Sequence, residues 1–524
     1  MAGFLDVLLR GLILALASVA LGGVVWTLGV LRAEPGAKPD AAARRALRVV
    51  ALAGGLTALC QAAVMLVALV ELGRLHAGWP LGLFVQTTFA RASSARVALG
   101  VGLAVLALRV AAGPAGRALW LGLAGTAVAL VGSSAVLSHA VARVDDRAAL
   151  LALDAVHQLS AAVWVGGLAH LVLYGWGEDR EPGSDRGVLR RFSNLALLSV
   201  AVLTAAGVAM TFFYVGDVAA FAGTAYGVMV VSKALLFGAA LALAWANFRA
   251  VRAATRGGAG LRLARHVEVE LGLGLTVLFA AASLTSLPPA VDVTVDRATV
   301  AEVAARFRPA PPRLTSPPVA ELIEKAEPLM AEVTRREPVE IAWSEYNHHW
   351  AGMFVLAMGL LVALERLGAR AARHWPLLFL GLAAFLFVRN DPRAWPLGPT
   401  GFWESMLLPD VLQHRAFVLL IVGFGVFEWM VRTGRLPARP WAHVFPLLCA
   451  AGGGLLLTHS HAMFNLKAEF LTEVSHVPLG LLGAFAGWGR WVEVRLPDAG
   501  RAPGWLWTVC FIGVGLVLLF YREA

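Results

Sequence analysis

The residues with chemical potential begin at S-H-A (Ser138–Ala140), followed by a short charged turn and then D-A-V-H-Q-L-S-A-A-V-W-V-G-G-L from Asp154 to Leu168. His139 closes one apolar segment. Asp154 and His157 stand three apart in the next, and residues at i and i+3 share a helix face. A looser copy recurs late in the chain as T-H-S-H-A-M-F-N (Thr458–Asn465), then E-V-S-H-V-P-L-G (Glu473–Gly480). There His459 and His461 close an apolar segment, and Glu473 and His476 repeat the spacing. The copies predict two similar helix pairs, each presenting imidazoles and a carboxylate. If the pairs are equivalent, the two halves of the chain are parallel repeats.

Neutral imidazole is the commonest side-chain metal ligand and suits copper, zinc, iron and nickel. Further histidines gather near the same face in the second half: His348 and His349 in N-H-H-W-A-G-M, and His414 in P-D-V-L-Q-H. Met353 and Met463 lie close to them in sequence, and Met210 ends an apolar run on the same side as His139. A thioether tilts an imidazole site toward Cu(I), although Met is also the ordinary filler of apolar gaps. Asp154 and Glu473 could each accept the second N–H of a ligating histidine and so fix its tautomer. The plainer reading of each is a carboxylate–imidazole pair holding two helices. Lys233 lies well inside an apolar run, where it either snorkels outward or pairs with Asp154.

These groups must be positioned within a membrane. Of 524 residues, 59% are hydrophobic and 15% charged, and the mean hydropathy is +0.72. That balance points to an all-α, polytopic bundle of membrane-spanning helices. About fourteen spans can be placed, at roughly 5–31, 49–72, 95–112, 118–139, 149–174, 191–214, 225–248, 267–288, 347–368, 374–389, 411–431, 441–459, 468–489 and 503–521. The first is longer than a signal-peptide core and reads as a retained helix. Arginines concentrate in alternate loops, and the positive-inside rule makes those loops cytoplasmic, with both termini outside. The histidines at 76, 139, 157, 348, 349, 414, 459, 461 and 476 then fall at or near the outer face, while those at 170, 266, 374 and 443 lie nearer the inner one.

Residues 289–345 are rich in proline and charge and read as an exterior linker or small cap between an eight-span domain (1–288) and a six-span domain (346–524). The net charge of +10 is spread over short loops, which argues against nucleic acid as a partner. No G-x-x-x-x-G-K-[ST] occurs, so this chain does not hydrolyse ATP through a phosphate-binding loop. Cys60, Cys449 and Cys510 each fall within an apolar run without a C-x-x-C, so neither a disulfide framework nor a thiolate metal site is encoded. Nothing points to an enzyme.

The stretch S-H-A followed by D-A-V-H-Q-L-S-A-A-V-W-V-G-G-L resembles the hallmark of the CopD family of bacterial copper-resistance membrane proteins. The later E-Y-N-H-H-W-A-G-M, the aromatic loop and T-H-S-H-A resemble the extension of that family's long members. The resemblance implies copper handling in the inner membrane, usually uptake from the periplasm in concert with a soluble CopC-like copper protein, with His139 and His157 as ligands. Some relatives carry a fused CopC domain. Here the exterior segment has no histidine and a single methionine, Met330, so any CopC would be a separate chain. Three readings stand open: a copper translocator, a non-transporting copper-insertion scaffold, and a haem-carrying electron-transfer protein. The haem reading notes His157 and His170, thirteen apart on one helix, and ranks lower because no histidine faces the inner position.

Overall fold

The computed structural model describes residues 2–75, 78–143, 145–175, 185–254, 263–325, 337–389, 391–459, 467–496 and 500–523. The sequence-derived candidates His461 and Met463, together with His76, lie outside the described residues. Thirteen described helical stretches are long and apolar enough to cross a membrane, and a shorter apolar helix adds a fourteenth. The fold is therefore all-α and multi-pass, as composition requires. Two compact units divide the chain: Ala2–Phe221 with Tyr226–Thr294, and Val295–Ala524 with the short stretch Ala222–Ala225.

The first unit holds eight long helices. They are α1 (Ala2–Val25, running on as a π-helical turn at Trp26–Val30), α2 (Ala41–Leu75), α3 (Thr88–Ala112), α4 (Arg117–Gly132), α5 (Arg147–Gly175), α6 (Asp185–Tyr214), α7 (Ala225–Ala254) and α8 (Leu263–Leu284). Helix α1 is central and packs on α2, α4, α5 and α8. Small residues permit this. Ala17, Ala20, Ala53, Ala107 and Ala127 lie in the core with Leu21, Leu47, Leu103 and Leu123. In lipid, where no hydrophobic drive separates helix from tail, such close backbone approach supplies the packing energy.

Two glycines of the W-V-G-G-L run show their purpose here. A Cβ on Gly166 would overlap the carbonyl oxygen of Ser18 on α1, and one on Gly167 would lie 2.6 Å from the Phe192 ring on α6. Gly166 thus sets how closely α5 crosses α1. Two residues earlier, Trp164 donates to Glu270 of α8 at 3.2 Å, and Asn247 of α7 donates to the same carboxylate at 2.9 Å. One buried Glu therefore ties three helices together.

The second unit contains α9 (Pro338–Arg366), α10 (Leu378–Arg389), α11 (Pro409–Arg432), α12 (Val444–His459), α13 (His476–Arg495) and α14 (Ala502–Leu519). Helix α9 starts nine residues before the expected 347, because a capping box of Glu337 and Glu340 with Pro338 at the first helical position starts it in polar sequence. Apolarity alone misses such a start. Helix α10 is preceded by a 3₁₀ stretch, Arg370–Leu377, where Pro376 removes a backbone donor. Trp375, Phe445, Trp507, Met358 and Cys510 form this unit's core.

Of the segment expected as an exterior linker or small cap, residues 289–294 belong to the first unit and the described residues from Val295 onward to the second. Lys467 pairs with Glu302 at 2.8 Å, Arg306 donates to the carbonyl of Glu523 at 2.5 Å, and Arg389 donates to Ser316 at 3.2 Å. The bonds from Lys467 and from Thr299 hold the Glu302 carboxyl down at about 2.

At the end of α9 a buried charge network closes the unit. Arg366 and Arg490 pair with Glu493 at 2.7 and 2.5 Å, and Arg432 pairs with Glu365 at 2.8 Å and Glu428 at 2.7 Å. The guanidinium carbons of Arg366, Arg432 and Arg490 lie 5.2–5.7 Å from the Trp507 ring centre. Arg432 is 9% exposed and Glu428 2%, so removing one partner strands the other in low dielectric. Arg432→Met is expected to cost about 3–5 kcal/mol of stability, read as a lowered unfolding temperature in detergent. Adding Glu428→Gln should recover part of that loss.

Candidate functional site

The first unit holds a partly open cavity of about 380 Å³ whose lining includes His139, Asp154, His157, Gln158, Met210, Tyr214, Tyr226 and Lys233. Helix α5 brings Asp154 and His157, α6 brings Met210, and α7 brings Lys233. The span that starts at Arg117 runs to Leu137, and His139 lies just past its end, close to where the sequence places it. Helix α4 itself stops at Gly132, where the Ser133 hydroxyl bonds back to Leu130 O at 2.7 Å. Two 3₁₀ turns follow, and His139 opens the second. A serine that competes with the helical ladder in this way ends it.

Each of the two histidines is anchored through one nitrogen. His139 Nε2 is 2.9 Å from the carbonyl oxygen of Leu284 on α8, and His157 Nδ1 is 3.1 Å from that of Leu203 on α6. A carbonyl can only accept, so the protons reside on His139 Nε2 and His157 Nδ1. Neutral rings then keep a lone pair on His139 Nδ1 and His157 Nε2. Gly207 makes room for the second ring, since a Cβ there would be 3.0 Å from His157 Cε1.

This arrangement corrects the expected role of Asp154. The anchoring N–H groups go to backbone carbonyls, not to its carboxylate. Asp154 instead accepts from Gln158 Nε2 at 2.9 Å, one helical turn on, and its Oδ2 has no hydrogen-bond partner. Lys233 lines the same cavity, and no carboxylate among the described residues lies within ion-pairing distance of it. The Asp154 carboxylate nevertheless attracts Lys233 through space, so the pairing weighed from the sequence is present without a direct ion-pair contact.

The second-half histidines divide. His348 and His476 lie edge-on with ring centres 5.7 Å apart, and Tyr521 stacks on His348 at 3.9 Å and meets His476 at 5.8 Å. His476 Nδ1 is 3.6 Å from the Glu473 carboxylate and makes no hydrogen bond, so the expected N–H to carboxylate contact is not closed. Glu473, however, ends a short helix, Lys467–Glu473, and His476 begins α13, whereas Asp154 and His157 share one helix. The two copies are thus built differently.

His349 is spent on structure. Its Nδ1 accepts from the Arg313 N–H at 2.6 Å, and its Nε2 donates to the Tyr521 carbonyl at 2.8 Å. Both nitrogens are engaged, so the expected ligand role fails. His349→Ala is expected to lower stability and leave bound copper unchanged, as read by metal analysis alongside thermal unfolding. His414 is exposed on α11, Met353 is half-buried on α9, and His459 ends α12. Among the described residues, no three His, Cys, Asp or Glu side chains form a ready metal cage.

Sequence reasoning missed the aromatic hydroxyls. Tyr214 and Tyr226, with ring centres 6.2 Å apart, line the first cavity, and Tyr521 holds the second cluster. The signal was rarity: the chain has five tyrosines, and three of them are these.

The fold and site define a multi-pass helical membrane protein with an intramembrane cavity bearing imidazole, thioether, carboxylate and ammonium groups. Residues 186–284, which run from α6 to α8, match the model of the family described as Copper resistance protein D, CopD. The chain is also 35% identical over 158 residues to the "Copper transport protein CutJ" of Bacillus subtilis (strain 168), a match covering 30% of this chain and 28% of that protein. Each match covers less than a third of this chain, and over those stretches the chain is similar to proteins named for copper resistance and copper transport. The family match covers the cavity wall that contains Leu203, Met210, Lys233 and Leu284, while His139, Asp154 and His157 lie before it. No solved structure matches this chain.

Proposed function

We propose that this chain binds copper ions in the first unit's cavity and carries them across a bacterial inner membrane, inward from the periplasmic side. One observation carries the reading. His139 and His157 each give one N–H to a carbonyl on a neighbouring helix, the arrangement that orients a metal-binding imidazole, and each keeps a lone pair on a ring lining the same cavity. Met210 adds a soft donor suited to Cu(I).

The donors are distributed round the wall rather than gathered into a cage. A site that must release its ion wants such weak, separable contacts. The names of the matched family and relative supply the metal's identity. The family resemblance of Ser138–Leu168 suggests the direction, uptake with a CopC-like soluble protein delivering copper, while the loop arginines bear only on topology, placing His139 and His157 toward the exterior. His348, His476 and Glu473, with Met353 five residues after His348, form a second outer station on this reading, and His414 of α11 is a further candidate there.

Purified protein in liposomes tests it. Copper supplied outside is expected to accumulate inside. Intact binding without flux would make the chain the copper-insertion scaffold instead. The haem reading is weaker than it was from sequence. His170 is 2% exposed, its Nε2 is 3.0 Å from Val19 O, and the space beside it is about 20 Å³, far too small for a macrocycle. A strong Soret band at stoichiometric haem would restore it.

A further inference from the structure

Inward of the cavity lies a buried carboxyl whose charge nothing balances. Trp164 lines the cavity and gives its indole N–H to Glu270 at 3.2 Å, and Asn247 donates to the other carboxylate oxygen at 2.9 Å. Glu270 is 5% exposed, both of its donors are neutral, and no charged side chain among the described residues pairs with it or acts on it through space. On α1 the charged groups are Asp6 and Arg10, beside Gly11, which abuts Phe279 far outward of Glu270 on α8. On α8 itself Glu268 is two residues away and so on another face, while His266, half-buried, is one turn inward on the same face. Glu270 stands about 6 Å along the helix from Gly274, which lines the cavity, and the arginine-rich loops put that end of α8 on the inner side.

A carboxylate held in an apolar layer without a counter-cation is costly, and such a group takes a proton or a cation instead. Asn247 suits both states. Its Oδ1 is buried without a hydrogen-bond partner, and once the amide turns over, a protonated Glu270 donates to that oxygen. We infer that Glu270 is a proton-exchange station on the inward copper route, protonated at rest and ionised while a cuprous ion passes. This rests on the copper reading. One carboxylate balances one positive charge, so the proton and the ion exclude each other there. The proton displaced by an entering ion leaves through the cavity to the exterior, and a proton from the inner side, by way of His266, restores the acid. Copper stays cuprous throughout. A hard oxygen donor holds Cu(I) weakly, as a station that must let go requires.

Proteoliposomes of the full chain enclosing a pH-sensitive dye test this, with the acetonitrile complex of Cu(I) supplied outside. In wild-type protein copper uptake is expected to raise the interior pH, with about one proton leaving per ion. Glu270→Gln mimics the neutral acid, keeping an acceptor for Trp164 and a donor for Asn247. It should fold and still bind copper in the cavity, yet take the ion up about tenfold or more slowly and without proton movement. Glu270→Asp should keep the proton movement. The infrared carbonyl band of a protonated carboxyl is expected in copper-free wild-type protein and should be missing from Glu270→Gln. Uptake without proton movement, interior acidification, wild-type uptake by Glu270→Gln, or a carboxyl band that the substitution leaves unchanged overturns the inference and leaves the copper reading intact. Failure of wild-type protein to take up copper overturns the transport reading itself.

Discussion

Protein with both His139 and His157 replaced by alanine is expected to fold, insert and bind copper about 100-fold or more weakly, as read by competition with a chromophoric Cu(I) chelator. Loss of a partner to a ligating histidine alone typically costs 10–100-fold, so loss of both imidazoles should cost at least the upper end. Folding should survive because neither ring is a large core element. Each is half-buried and makes one hydrogen bond to a helix carbonyl, at Leu284 and Leu203. Each substitution removes one hydrogen bond, so stability should fall by only about 1 kcal/mol per bond. Unchanged copper affinity in a well-folded double variant would remove both residues from the site.

The second large effect is at Gly166. Valine there should abolish a stable fold in detergent, and alanine should lower the unfolding temperature markedly. The reason is local: the new Cβ would meet the backbone of α1 at Ser18 and Gly22, not a flexible side-chain tip, so the helices must part. Overpacking costs about 1–3 kcal/mol even where side chains can adjust, and backbone cannot adjust as readily. Helix α1 contacts α2, α4, α5 and α8, so moving it disturbs the whole unit and with it the cavity wall at Ser18. Gly125 is the control. A Cβ there meets nothing within 4 Å, so Gly125→Ala should be neutral or slightly stabilising.

These results mark what could be read before the coordinates. Apolar run lengths revealed the fold class and nearly every span, because the bilayer imposes a length that composition must satisfy. Starts and stops were less legible. Glu337, Glu340 and Pro338 start α9 in polar sequence, and Ser133 caps α4 at Gly132, before His139. Spacing put Asp154 and His157 on one helix face, and the family resemblance, not spacing, joined His139 to His157. The division of labour between His348 and His349 was not legible. They are adjacent in sequence, yet His349 is fixed by Arg313 and Tyr521, 36 and 172 residues away. Likewise Leu284 and Leu203 act through carbonyl oxygens, which every residue possesses, so no side-chain pattern could mark them.

X-ray absorption at the copper edge, on purified protein loaded with one equivalent of Cu(I), tests the central claim most directly. Imidazole scattering from two histidines with one sulfur neighbour, and loss of that pattern in the His139→Ala/His157→Ala variant, is the expected result. A spectrum without imidazole, or one that the double substitution leaves unchanged, would place copper elsewhere and contradict the account.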